Sequence, residues 1–134
     1  MVGRALLVDD EPNILITLSL ILKSEGFEVQ TAESAHSAKE YLSRFTFDLL
    51  ITDLCLEQPF SGFELVRIAN RQHSPPATVV ISAFPDLLAD WREYGADAGI
   101  QKPADVAELL ATISRLLSDR EKENGTGTVA SSRL

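Results

Sequence analysis

A chain of 134 residues, 45% of them apolar, is long enough for one domain with a sizeable core and too short for two. Its formal net charge of -8 argues against direct binding to nucleic acid or anionic membrane, which select basic surfaces, and favours cations or basic partners. Cys55 is the single cysteine, so an internal disulfide is excluded, and no stretch reads as a signal peptide or membrane span; the expected compartment is the cytoplasm.

Strand-type and helix-type patterns alternate from residue 4 to about residue 117, the sequence form of a βαβ sheet with helices on both faces. The first strand, Arg4–Val8, is apolar and ends in Asp9-Asp10. Its helix opens at Pro12 behind an acidic residue and stops at Gly26, with Ile14, Leu15, Leu18, Ile21 and Leu22 as the core stripe. Ile16 and Leu20 lie off that stripe, one turn apart. They are either scattered surface apolar residues or a small docking patch.

The second strand, Glu28–Ala32, is mixed in composition, and the helix near Ser34–Arg44 has a thin stripe of Ala35, Ala38, Leu42 and Phe45. The third, Phe47–Thr52, is apolar and delivers Asp53; a helix follows Gly62 with Phe63, Val66 and Ala69 inward. Thr78–Ser82 is the fourth strand. After it a short helix is expected from Pro85-Asp86 to Gly95, with Leu87, Leu88 and Trp91 inward and Trp91 a core residue. The fifth strand, Asp97–Gln101, leads into Lys102-Pro103, and the clearest helix, Ala104–Leu117, carries Val106, Leu109, Leu110, Ile113 and Leu117 on one face. Beyond Leu117 the text turns polar and aperiodic. One domain over 1–118 and a flexible C-terminal tail or linker over 119–134 are expected.

Strands one, three and four are almost wholly apolar, as buried central strands are, whereas two and five suit the edges. Parallel strands deliver their trailing residues to one edge of the sheet, where open α/β sheets bind ligands. Asp9, Asp10, Asp53, Ser82 and Lys102 therefore meet there. Two carboxylates about 4 Å apart repel by roughly 4 kcal/mol at an effective dielectric near 20, so such a cluster needs a cation. Oxygen-only ligands at a solvent-facing edge suit Mg²⁺, which attracts a phosphoryl group the carboxylates alone would repel. Lys102 can then bind phosphate and Ser82 can donate to it, an arrangement for phosphoryl transfer. Each residue also has a plain structural reading. Asp9 and Asp10 could cap a helix, Asp53 could sit in a turn and Lys102 on the surface. Their conjunction is what favours a site. His36 and His73 have no ligand-like neighbours and are read as solvent-facing, and Cys55 as a small buried filler.

Over about Arg4–Leu117 the chain resembles the receiver domain of two-component response regulators. The motifs are Val8-Asp9-Asp10-Glu11-Pro12-Asn13, Asp53 after an apolar strand, Ser82-Ala83 after Val79-Val80-Ile81, Gly95-Ala96-Asp97-Ala98, and Lys102-Pro103. The resemblance implies a doubly wound, five-stranded parallel (βα)5 sheet of flavodoxin-like type with strand order 2-1-3-4-5. It implies that Asp53 accepts a phosphoryl group from a histidine kinase or phosphotransfer protein. Asp10, Asp53 and the carbonyl of Cys55 would bind Mg²⁺ directly, and Asp9 through a metal-bound water. Lys102, held by a cis bond to Pro103, would pair with the phosphoryl oxygens and Ser82 would swing in to bond them, with help from the N–H groups of Leu54 and Ala83. Such a domain switches a downstream effector protein and catalyses only its own phosphorylation and dephosphorylation.

Two departures stand out. The family usually has an aromatic residue three positions before the lysine, and here that position is Gly99; its readout is then expected from glycine's backbone freedom or from Phe84. Glu57 stands where a proline is common, with Pro59 and Gly62 displaced as if the loop carried one extra residue. Gly99 also keeps open an interaction module that signals without phosphate. A Mg²⁺-dependent phosphatase is disfavoured, because Cys55 stands where its second acid belongs.

Overall fold

The computed structural model describes residues 3–58 and 60–133, with side chains through Arg120. It divides into two units, 1–104 and 105–134. The first contains β1 (Gly3–Val8), α1 (Pro12–Ser24), β2 (Phe27–Ala32), α2 (Ala35–Arg44), β3 (Leu49–Asp53), α3 (Ser61–Asn70), β4 (Ala77–Ser82), α4 (Pro85–Leu88) and β5 (Ala98–Gln101). All pairings are parallel and the order is β2-β1-β3-β4-β5. The second unit contains α5 (Val106–Arg133). The expected five-stranded α/β sheet is therefore present, edges included: β3 and β4 are buried at every residue, whereas β2 and β5 mix buried with exposed residues.

Connections in parallel sheets are right-handed, so reversing the direction of travel reverses the face. The chain steps one way from β1 to β2 and the other way thereafter. This sets α1 apart from α2 and α3, which bury Leu6, Val8, Leu50 and Phe47 with Ala35, Ala38, Leu42, Leu65 and Ala69. A second cluster on α3 and α4 gathers Leu54, Phe63, Val66, Val80, Leu88 and Ala96. Order reverses between β1 and β3, the switch point at which ligands enter such sheets.

Four details differ from the sequence expectation. The fourth helix is one turn, Pro85–Leu88, and residues 89–95 continue as successive turns that carry Trp91 toward β5. Packing there overrides helical periodicity. Phe45 is 42% exposed because the backbone becomes extended at this cap residue, taking it off the helical stripe. Val106 is 45% exposed because α5 starts there, where Asp105 accepts from the Glu108 N–H at 3.0 Å, a cap that periodicity missed. Finally, α5 continues past Leu117 to Arg133; Arg120, Glu121, Lys122 and Glu123 favour the helix, whereas nothing in the composition of residues 124–133 explains its further course. Pro59 lies outside the described residues. Among those described, no helix is long and apolar enough to cross a membrane.

Candidate functional site

Val8 pairs with Thr52 at the ends of β1 and β3, so Asp9 and Asp53 leave the sheet side by side. Ser82 pairs with Gln101, which brings Lys102 to the same edge, and the Lys102 N–H donates to the Ser82 carbonyl at 2.8 Å. The Lys102–Pro103 bond is cis, as expected. From this base the lysine reaches across the sheet: Nζ lies 2.8 Å from Asp9 Oδ2, 3.0 Å from Asp53 Oδ2 and 3.8 Å from Glu11 Oε1.

The carboxylates are aimed by backbone donors. Asp9 Oδ1 accepts from the Glu11 N–H at 2.9 Å, and Asp53 Oδ1 from the Cys55 N–H at 3.2 Å. Asp9 is 1% exposed and Asp53 7%, whereas Asp10 is open to solvent. Each of the three acids offers an oxygen within 4.8 Å of the others. Three carboxylates against one ammonium leave the cluster negative, and the donors are all hard oxygens with one acid facing water. That set fits a divalent cation that retains part of its hydration.

Burial raises the Asp53 carboxyl above its usual 3.8; the Lys102 ammonium and the Cys55 N–H oppose this, and neighbouring Asp9 adds to it. For Lys102, burial pulls downward, but hydrogen bonds and charge from Asp9 and Asp53 outweigh it, and the net direction is upward. A strong Lys–Asp pair alone would lower the acid. That Asp53 moves upward instead marks a carboxylate with more negative charge and less water around it than one lysine offsets.

Ser82 is buried at the end of β4, where its Oγ accepts from the Phe84 N–H at 3.0 Å. The hydroxyl is at the expected edge but engaged with the next loop. Leu54 departs from expectation, since its N–H donates to the Ile81 carbonyl at 2.8 Å and so belongs to the sheet. The Cys55 N–H is the one at Asp53. His36 and His73 are exposed, as read from the sequence.

Three residues that shape the loop after Asp53 had weak sequence signals or none. Ser61 Oγ accepts from the Leu56 N–H at 2.9 Å and donates to the Gln58 carbonyl at 2.8 Å. Glu57 Oε1 accepts from the Ala35 N–H at 2.9 Å, tying this loop to the start of α2 across 22 positions. Gly62 donates to the Leu54 carbonyl at 2.9 Å and packs so closely that a Cβ would collide with the Asp53 carbonyl. Its proximity to a turn was visible, but its contact with the Asp53 backbone was not.

Comparison with known proteins agrees with this fold. The chain is 33% identical over 125 residues to the response regulator protein PilR of Pseudomonas aeruginosa, covering 90% of this chain and 28% of that one. It is 35% identical over 116 residues to the response regulator ArlR of Staphylococcus aureus, covering 85% and 52%. It therefore spans about half or less of the length of these curated relatives. A crystal structure of a CheY-like response regulator receiver domain protein from Methanospirillum hungatei superposes with a TM-score of 0.83 at 29% identity, covering 92% of this chain and 99% of that one. Residues 5–114 match the model of the response regulator receiver domain, and the chain belongs to that family.

Proposed function

We propose that this domain accepts a phosphoryl group on Asp53 from a phosphohistidine of a histidine kinase or phosphotransfer protein and thereby switches its binding to a downstream effector. The observation that carries this reading is Lys102 Nζ poised between Asp9 and Asp53 beside solvent-facing Asp10. An Asp53 carboxylate oxygen bonds to phosphorus as the P–N bond breaks, its electron pair leaving with the imidazole, and an acyl phosphate results. Lys102 moves from the carboxylate to the phosphoryl oxygens, and Ser82 exchanges its bond from the Phe84 N–H for one to the phosphoryl group. Asp10, Asp53 and the Cys55 carbonyl would hold Mg²⁺, with Asp9, already engaged by Lys102 and Glu11, acting through water. The ion supplies neutralisation of the charge gathered on the phosphoryl oxygens.

On this reading the chain turns over only its own phosphoryl group, in the cytoplasm, without contacting nucleic acid or membrane itself. Residues 1–118 act as the receiver and 119–134 as a C-terminal tail or linker. Acetyl phosphate with Mg²⁺ should add one labile phosphoryl mass, lost in Asp53→Asn. Persistence of the added mass in that variant would move the acceptor elsewhere. Gly99 favours a second reading, a phosphate-independent interaction module. Partner affinity unchanged by beryllofluoride and Mg²⁺ would select it.

A further inference from the structure

Gly99 stands opposite Val80 in the β4–β5 pairing. The glycines with left-handed φ are Gly3, Gly26 and Gly95, so the backbone at 99 tolerates any residue and glycine's conformational freedom is not in use. Packing is what requires glycine. A Cβ at 99 would stand 2.6 Å from Trp91 Cδ1, 2.9 Å from Cγ and 3.2 Å from Nε1. The Trp91 indole therefore lies on the bare Cα and fills the volume a β5 side chain would take. It cannot swing aside freely, being packed against the cluster of Leu54, Phe63, Val80 and Leu88 with the Arg92 guanidinium 4.9 Å from its ring centroid.

Both ends of this arrangement meet the candidate site. Leu54 follows Asp53 directly and bonds to Ile81, the residue before Ser82. Trp91 belongs to the segment that starts at Phe84, whose N–H is bonded to Ser82 Oγ. Between Phe84 and Gly95 the chain forms one helical turn and loose turns, with only Leu88 buried. The segment is thus fastened at its start by Ser82, farther along by the indole on Gly99, and at its end by Tyr94 stacked 4.1 Å from Phe63 and by the Asn70 side-chain amide on the Gly95 carbonyl.

We propose that Trp91 is a positioning residue that carries the state of Ser82 to the exposed surface of residues 84–95. The proposal rests on the reading of Asp53 as phosphoryl acceptor. When Ser82 turns to the phosphoryl group, the Phe84 N–H is released and the segment shifts about the Trp91–Gly99 seat. Phe84, 59% exposed, is the aromatic side chain it re-presents, while Tyr94 stays stacked on Phe63.

The test uses the full chain with Mg²⁺, with and without beryllofluoride, and follows amide exchange over 84–95 and the emission of Trp91, the sole tryptophan. Phosphoryl mass gained from acetyl phosphate is recorded independently. In the wild type, beryllofluoride should shift Trp91 emission and change exchange across the segment. Trp91→Ala and Gly99→Ala should still gain phosphoryl mass while losing the beryllofluoride response in exchange. Trp91→Phe should restore part of that response, and the paired change Trp91→Ala with Gly99→Tyr should refill the seat and restore it. A full response in Trp91→Ala, or silent Trp91 emission in protein that has gained the phosphoryl mass, overturns the coupling and leaves the Asp53 reading intact. Absence of phosphoryl mass in the wild type overturns both.

Discussion

The Lys102 ammonium stands 2.8 Å from the Asp9 carboxylate, joining residues 93 positions apart at the point where sheet order reverses. Both side chains are nearly shielded from water, so the pair is a buried ion pair that also faces Asp53. Breaking such a pair by removing one partner is costly, because the other charge stays buried without compensation.

Lys102→Met should therefore lower the unfolding free energy of metal-free protein by about 3 kcal/mol in urea titrations. Mg²⁺ should recover much of this loss by replacing the missing positive charge. The sign with pH follows from the upward shift of Lys102: its contribution is complete below the usual 10.5 and is lost as pH rises through the higher folded value. The gap between wild type and variant should persist at neutral pH and close only in strong alkali. A gap that closed near pH 8 would remove Lys102 from the account.

Asp53→Asn should raise the melting temperature of metal-free protein at pH 7. The folded-state pKa of Asp53 lies above its usual 3.8, so the folded state binds this proton more readily than the unfolded state does. Ionised Asp53 then costs stability above the folded value, and that cost disappears as pH falls below 3.8. The advantage of Asn should shrink as the buffer is acidified. Saturating Mg²⁺ should invert the comparison, since an ion that binds only the folded wild type adds about 2.7 kcal/mol at one hundred times its dissociation constant. Calorimetry at pH 7 and pH 4, with and without Mg²⁺, checks both signs.

Most of the fold was legible because β3, β4 and most of β1 are buried on both faces and so carry apolar runs, as in Leu49-Leu50-Ile51 of β3. The acids were legible because parallel strands must end at one edge. What stayed hidden is set by contacts between distant segments. Nothing in the sequence near Glu57 announces that its carboxylate caps Ala35, and no period reveals that Trp91 closes over Gly99. The one-turn α4 is hidden for the same reason: Leu87, Leu88 and Trp91 have helical spacing, yet the helix ends at Leu88 and the indole packs on Gly99 of β5.

Ser61→Ala should loosen the loop that carries Cys55. The hydroxyl serves the Leu56 N–H and the Gln58 carbonyl at once, and the residue is 6% exposed, so water cannot readily replace it. A buried donor left unsatisfied costs about 1–3 kcal/mol. Amide exchange at Leu56 should accelerate more than exchange in β3, and phosphoryl uptake should slow. Equal protection of Leu56 in wild type and variant would show that the hydroxyl does not hold the loop.

Gly62→Ala sets two effects of opposite sign against each other. Gly62 lies in the first turn of α3 without a left-handed φ, so helix propensity alone favours alanine by about 1 kcal/mol. The added methyl, however, would stand 2.8 Å from Leu54 Cα and would clash with the Asp53 carbonyl, and neither backbone atom can rotate away. Overpacking of this kind costs about 1–3 kcal/mol, and here the backbone that must yield is that of Asp53 itself. Sterics should win. The variant should be less stable in urea and should take up phosphoryl groups more slowly, because relief of the clash displaces the Asp53 carboxylate from Lys102. A Gly62→Ala protein as stable as wild type and equally reactive would mean that α3 slides outward without disturbing Asp53.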